Sequence, residues 1–247
     1  MEIYLPANCN EIGQRDSNED TIYPHIATVK SRLFMVCDGV GGQAKGELAS
    51  NMVCEGIASY LDNNPLEGVG DEAYWSASLR FVENQFLEHF KEFPESKGMA
   101  STLSLFRISN KERRVLIAWI GDSRVYHIRD GKIQYRTKDH SIVEALLEMD
   151  EITPQEAKDH PKRHIITRAI NGTNPSKIDI KIIAEVRKDD FFLLCSDGIL
   201  ENLDEEKIQR WFTKEVSVED LKQNIMTCVK GNTKDNYSMY IIKIKKI

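Results

Sequence analysis

The sequence predicts an α+β fold in which antiparallel sheets are covered by helices, and three features carry that expectation. Short apolar runs at 33–37, 115–120 and 191–195 are too brief for helices and carry no polar break, as strands buried on both faces do. The segment 101–136 alternates strand-like runs with the polar turn NKERR and with Arg129-Asp130-Gly131, where Asp-Gly is a strong hairpin signal. An antiparallel meander is expected there, since alternating strand–helix units would read differently. Two amphipathic stretches, 46–61 and 71–93, lie between strands and are expected to cover one face of a sheet.

The elements follow in order. A short strand at 3–5 and a polar turn precede the charged loop GQRDSNED, and a strand is expected over 21–29. In the first helix Leu48, Met52, Val53, Ile57 and Leu61 recur at helical spacing. The second has Asp71 as N-cap, Pro94 as its stop and a core-facing stripe of Trp75, Leu79, Val82, Phe86, Phe90 and Phe93. Residues 137–174 are polar, hold only short helical pieces (142–149 and 154–158) and read as a surface flap. The histidines there, His140, His160 and His164, lack a ligand spacing, and structural or capping roles are expected. A half-buried strand at 178–186 and the apolar strand at 191–195 come next. Helices at 205–212 behind Asp204 and 218–229 behind Ser217 follow, with Ser217 and Asp220 similar to a capping box, and a strand at 237–247 closes the chain. No repeat or linker divides it, so residues 1–247 are expected to form one domain with 137–174 as a flap within it.

The acids point to the chemistry. Each of the three buried runs leads to an aspartate (Asp38, Asp122 and Asp197), and Asp235 precedes the closing strand. A carboxylate at the end of a buried strand is poorly solvated, and an unpaired buried charge is costly. A cluster of such acids calls for cations. Oxygen donors without histidine or cysteine favour magnesium, manganese or calcium over zinc. Two such ions side by side can clamp a phosphoryl group and lower the pKa of a water. A structural calcium site is the plainer alternative, but it usually draws several ligands from one short loop. The loop with Arg15, Glu19 and Asp20 reads either as a solvated charged loop or as a guanidinium phosphate clamp, and its residues alone leave both open.

Composition narrows the class. The 247 residues, 41% hydrophobic and 29% charged, are those of an ordinary globular protein with a sizeable core. A net charge of −6 argues against a nucleic-acid surface. The five cysteines (Cys9, Cys37, Cys54, Cys195 and Cys228) are scattered and form no C-x-x-C pair, so reduced core thiols are expected. No apolar run approaches the roughly 18 residues of a membrane span, and the first residues lack the pattern of a signal peptide. A cytoplasmic monomer without membrane contact is the expectation.

The order of motifs resembles the metal-dependent type 2C protein serine/threonine phosphatases, especially compact bacterial-type members. The matching pieces are RDSNED, CDGVGG with Gly46-Glu47, ASTL, GDSRVY, TKDHS, HPKRHIITRAI, CSDG and DNYS. Singly each is weak; together, in the family's order, they cover the chain nearly end to end.

The resemblance implies a four-layer α-β-β-α sandwich with two central antiparallel sheets, 137–174 being the variable flap. It implies two Mn2+ or Mg2+ ions, bridged by Asp38, with the Gly39 carbonyl on one and Asp197 and Asp235 on the other. Glu19 would act through coordinated water, Asp20 would stand nearby, and Arg15 would hold the substrate phosphate. A metal-bridging water would attack phosphorus directly, and Asp122, Asp197 and Glu201 correspond to a weaker third ion. Substrates would be phosphoserine and phosphothreonine proteins of a cognate kinase, placing the chain in signalling. Three departures stand out: Val40 where eukaryotic members carry a histidine, Glu201 in place of aspartate, and Asp150 and Asn171 at flap positions usually glycine. Two other readings stay open on the sequence: a phosphatase of small phosphoesters, and a phosphate-binding regulatory module with little turnover.

Overall fold

Two six-stranded antiparallel sheets meet face to face, and the computed structural model describes residues 1–41 and 45–247. The first sheet runs β1 (Glu2–Ile3), β12 (Tyr237–Lys246), β11 (Phe191–Cys195), β8 (Arg124–Arg129) and β9 (Lys132–Arg136), with β2 (Ala7–Glu11) also paired to β12. The second runs β10 (Asp179–Ile183), β7 (Arg114–Ile120), β6 (Leu103–Ser109), β4 (Leu33–Val40) and β3 (Asp20–Tyr23), with β5 (Ala100–Ser101) on the end of β4.

Alternation along the central strands divides their side chains between two cores. Phe34, Val36, Phe106, Ile117, Phe192, Leu194, Tyr240 and Ile242 fill the space between the sheets. The Phe106 and Phe192 rings, 4.3 Å apart, join one sheet to the other. Burying each such side chain contributes about 1.5–3 kcal/mol. On the outer face of the second sheet lie α1 (Lys45–Asn63) and α2 (Glu72–Glu92), whose Val53, Ile57, Trp75, Leu79, Val82 and Phe86 pack on Met35, Cys37 and Leu105. On the outer face of the first lie α5 (Asp197–Leu200), α6 (Glu205–Trp211) and α7 (Val218–Val229), through Ile208, Leu221 and Ile225. The result is the four-layer α-β-β-α sandwich. The flap contributes α3 (Ile142–Glu148) and α4 (Pro154–Lys158); the bridge Ser101–Ile170 pins it to the sheet, and Ser141–Ile166 closes it on itself.

Several expectations are corrected. The predicted meander is two hairpins in different sheets: β6 and β7 belong to the second, β8 and β9 to the first, and the chain changes sheet at 121–123. Gly121, at φ +100°, makes that corner, and a Cβ there would lie 2.6 Å from Thr102 Cγ2. The strand expected over 21–29 stops at Tyr23, because Pro24 has no N–H to give a ladder. The strand expected at 3–5 ends at Ile3, and the polar turn after it contains β2, whose alternation is too short and too polar to signal a strand. Asp197 opens α5, a single helical turn that begins inside CSDG and runs on to Leu200. The Ser217 hydroxyl accepts from the Asp220 N–H, but the Asp220 carboxylate returns to that hydroxyl, so the box is incomplete; the full reciprocal box joins Thr153 and Glu156. Gly42, the second glycine of the turn after β4, lies outside the described residues.

The two sheets end together along one edge. The C-terminal ends of β4, β7 and β11 and the N-terminal ends of β3, β8 and β12 all reach it. Asp20, Asp38, Asp122, Asp197 and Asp235 stand on that edge or in the turns beside it.

Candidate metal centre

Backbone pairing places Asp20 opposite Asp38 across the β3–β4 ladder. Asp38 is fixed by Thr102, whose Oγ1 accepts from the Asp38 N–H at 2.9 Å and whose own N–H donates to the Asp38 carbonyl at 2.8 Å. Asp122 occupies the corner between sheets, Asp197 begins α5, and Asp235 stands two residues before β12. Gly39 packs so closely on the start of α1 that a Cβ on it would lie 2.0 Å from the Gly46 carbonyl oxygen. Its N–H donates to the Glu19 carbonyl at 3.0 Å. The Glu19 carboxylate lies over Gly46, where a Cβ would meet Oε2 at 2.3 Å, so only a glycine lets the acid rest on the first turn of α1. A helix N-terminus favours that charge.

Electrostatics tie the acids into one group. Burial, then the charges of Asp20, Asp197, Asp122 and Asp235, hold the Asp38 carboxyl well above the usual aspartate range. Asp197 is raised for the same reasons, with Asp122 its strongest neighbour. Asp20 is buried and pushed up to about 7 despite the Ser196 hydroxyl, which donates to its Oδ2 at 2.7 Å. Asp122 is pushed up to about 6, by burial and by Asp139. Glu19 is raised by burial and by Asp235 and Glu47, against the pull of Arg15.

Arg15 is the cation that meets this group: its Nη2 lies 2.7 Å from Asp235 Oδ2. Its side chain remains 58% exposed. Glu201 caps α5 and accepts from Thr233 Oγ1 at 2.7 Å and from the Lys234 N–H at 3.0 Å, both on Oε2. Among the described residues no three acid, histidine or cysteine side chains stand in a ready-made ion cage. The evidence of fit is the repulsion itself: burial and mutual charge raise the pKa values of Asp20, Asp38, Asp122 and Asp197, and with Asp235 beside them these acids form an oxygen-donor set whose charge divalent cations would neutralise.

A sequence profile described as Protein phosphatase 2C matches residues 10–228. The chain belongs to that family. The serine/threonine protein phosphatase PstP of Mycobacterium tuberculosis is 31% identical over 230 residues, 93% of this chain. The chain spans 43% of the length of that relative. Protein phosphatase PhpP of Streptococcus pneumoniae is 28% identical over 92% of this chain and 90% of its own. The crystal structure of the M. tuberculosis phosphatase PstP/Ppp superposes with a TM-score of 0.85 at 30% identity, covering 99% of this chain and 100% of that one. A PstP catalytic domain in complex with two manganese ions matches at TM-score 0.74 and 28% identity, each chain covered in full (100%).

Within this protein phosphatase 2C chain, the departures acquire physical explanations. Asp150 adopts φ +56°, a left-handed conformation that aspartate tolerates better than most residues. Asn171 needs no such freedom: the left-handed residue is its neighbour Gly172, at φ +69°, while the Asn171 Oδ1 accepts from the Thr173 N–H at 2.9 Å. His140 is structural, its Nδ1 accepting from the Gly121 N–H at 3.1 Å beside Asp122. All five cysteines are free thiols, and four are buried. Thr102, Ser196, Gly46 and Asn236 orient the acids and were given no role from sequence. Their motifs ASTL, CSDG and DNYS were visible, but their partners lie far along the chain.

A pH dependence follows for the chelated protein. With raised folded-state pKa values, the native state binds more protons than the unfolded chain between about pH 4 and 7, so stability falls as pH rises through that window. The midpoint of thermal unfolding in chelator is expected to drop between pH 5 and 7.5, and excess Mn2+ to remove the drop. Asp20→Asn should shrink it. A chelated midpoint that rises with pH across this window would contradict the repulsive cluster.

Proposed function

We propose that this chain is a metal-dependent protein phosphatase acting on phosphoserine and phosphothreonine in proteins phosphorylated by a serine/threonine kinase. The observation that carries the reading is the convergence of five aspartates from two sheets on one edge, beside a mobile-length, exposed arginine. Asp38, the Gly39 carbonyl, Asp197 and Asp235 would hold two Mn2+ or Mg2+ ions, with Glu19 and Asp20 alongside. Bound there, the ions would neutralise the acids, polarise the phosphoryl group and supply a nucleophile from water at neutral pH. Arg15 would leave Asp235 as cations occupy that carboxylate and take the phosphate oxygens with two parallel N–H bonds. Thr102 and Ser196 would keep Asp38 and Asp20 fixed through the reaction.

The deciding experiment is hydrolysis of a phosphothreonine peptide across Mn2+ and Mg2+, with and without chelator. Cation-dependent release of phosphate supports the assignment. Binding of the peptide without release would favour a regulatory module, and faster turnover of sugar phosphates would favour a small-molecule phosphatase.

Arg15→Ala supplies a second test. Losing a charge-assisted, bidentate contact costs about 1.5–3 kcal/mol, or roughly ten- to a hundredfold in kcat/KM, carried mainly by KM. Affinity for Mn2+ should hold or rise, because the substitution also removes a competing cation from Asp235. Wild-type kcat/KM in Arg15→Ala would return 15–20 to a solvated charged loop.

A further inference from the structure

We propose that Asn236 is the positioning residue that sets where Arg15 stands, an assignment that rests on the phosphatase reading of the same site. Asn236 is 5% exposed, and every hydrogen bond of its side chain goes to one distant loop. Its Nδ2 donates to the Ile12 carbonyl at 2.7 Å and to the Ser17 carbonyl at 2.8 Å. Its Oδ1 accepts from the Glu19 N–H at 2.8 Å. One amide therefore ties both ends of the turn that carries Arg15. The Ile12 carbonyl also accepts from the Arg15 N–H at 3.4 Å, closing the turn on the atom that Asn236 holds.

The backbone of Asn236 is equally committed. Its N–H donates to Asp235 Oδ1 at 2.8 Å, orienting that carboxylate, and its carbonyl oxygen lies 2.0 Å from where a Cβ on Gly198 would be, next to Asp197. Gly13, at φ +63°, presses the Arg15 turn onto the Asp235 carbonyl, 1.9 Å from where its Cβ would be. The residue thus fixes the backbone of the Arg15 turn relative to the two aspartates, and so sets the point from which the guanidinium must reach a phosphate held by cations on those carboxylates. Loss of the side chain leaves the carbonyls of an exposed loop to water, so the cost falls on geometry more than on folding.

Misplacement of a binding group by about an ångström can cost on the order of a hundredfold in rate. Asn236→Ala is therefore expected to lower kcat/KM for a phosphothreonine peptide in saturating Mn2+ by roughly ten- to a hundredfold, mostly through KM, with Mn2+ affinity within about threefold of wild type. The decisive measurement is the double-mutant cycle with Arg15→Ala, since residues that act through one another are non-additive. In the Arg15→Ala background, Asn236→Ala should cost less than about threefold. Fully additive losses would overturn the proposal, because a residue that merely supports the fold penalises both backgrounds alike.

A second readout does not depend on turnover. Amide exchange of Glu19 should accelerate at least about tenfold in Asn236→Ala, and unchanged exchange would show that the tether does not hold in solution. Should the alanine variant fold poorly, Asn236→Asp keeps the acceptor for Glu19 and turns the two donor contacts into repulsion, so the same cycle can be run. Absence of cation-dependent hydrolysis by the wild type would sink the phosphatase reading itself. The cycle would then be read in dissociation constants for the phosphothreonine peptide, and additive losses there would still overturn the role of Asn236.

Discussion

Replacing Asp38 with alanine is expected to abolish cation binding and turnover together while leaving the protein folded. The residue lies two positions before the end of β4, whose apolar positions and ladder bonds to β3 and β6 do not involve its carboxylate. Its backbone is held by Thr102, and alanine keeps both of those bonds. What disappears is the carboxylate on which Asp20, Asp197, Asp122 and Asp235 all act. A single preorganised charge-stabilising contact is worth about 10²–10³-fold, and a carboxylate bridging two ions should be worth at least that in kcat/KM. Calorimetric titration with Mn2+ should show the tightest site gone. The chelated variant should also unfold at a higher temperature than chelated wild type, because one member of a repulsive group has been removed. Asp197→Ala and Asp235→Ala should follow the same pattern. Appreciable hydrolysis by Asp38→Ala in saturating Mn2+ would defeat the two-ion assignment.

That prediction needed little beyond the sequence. Strands buried on both faces have a plain signature, and an acid at the end of such a strand stands out because nothing local can solvate it. The residues at Asp38, Asp122, Asp197 and Asp235 were therefore legible singly, and the motif order suggested how they combine. What could not be read was the set of contacts between distant segments. Asn236 meets Ile12 and Ser17 across more than two hundred residues of sequence, separations of 224 and 219. Ser196 reaches Asp20 over 176. Neither pairing leaves any periodic trace. The change of sheet at Gly121 was hidden for a related reason: a hairpin turn and a corner between sheets both present glycine with polar neighbours. The strand β2 was lost because only Ala7 and Cys9 face inward, and two small residues do not make a hydrophobic pattern.

Asp122→Ala is expected to slow phosphoserine-peptide hydrolysis far more than nitrophenyl phosphate hydrolysis. A serine alkoxide must gain a proton as the P–O bond breaks, whereas a nitrophenolate leaves without one. General acid catalysis is worth about 10²–10⁴-fold, too large a factor for a phosphoserine enzyme to lack. Val40, at the end of β4 and 43% exposed, has no proton to give. The chain's remaining provision lies on the other side of the centre, where Asp122 stands in the corner between sheets with Asp197 beside it. Together with Glu201 these acids would be the set for a third cation. Glu201 enters with one oxygen already committed, since Oε2 takes both Thr233 and Lys234, so Asp122 is expected to carry more of that role. The competing account gives Asp122 only the task of shaping the 121–123 corner, and damage there would depress both substrates equally. The ratio of kcat/KM values for the two substrates, in wild type and Asp122→Ala at matched saturating Mn2+, separates the accounts. A rise of roughly tenfold or more in favour of nitrophenyl phosphate supports proton delivery from the Asp122 side. An unchanged ratio assigns Asp122 to the corner alone and moves the search for the acid to the flap.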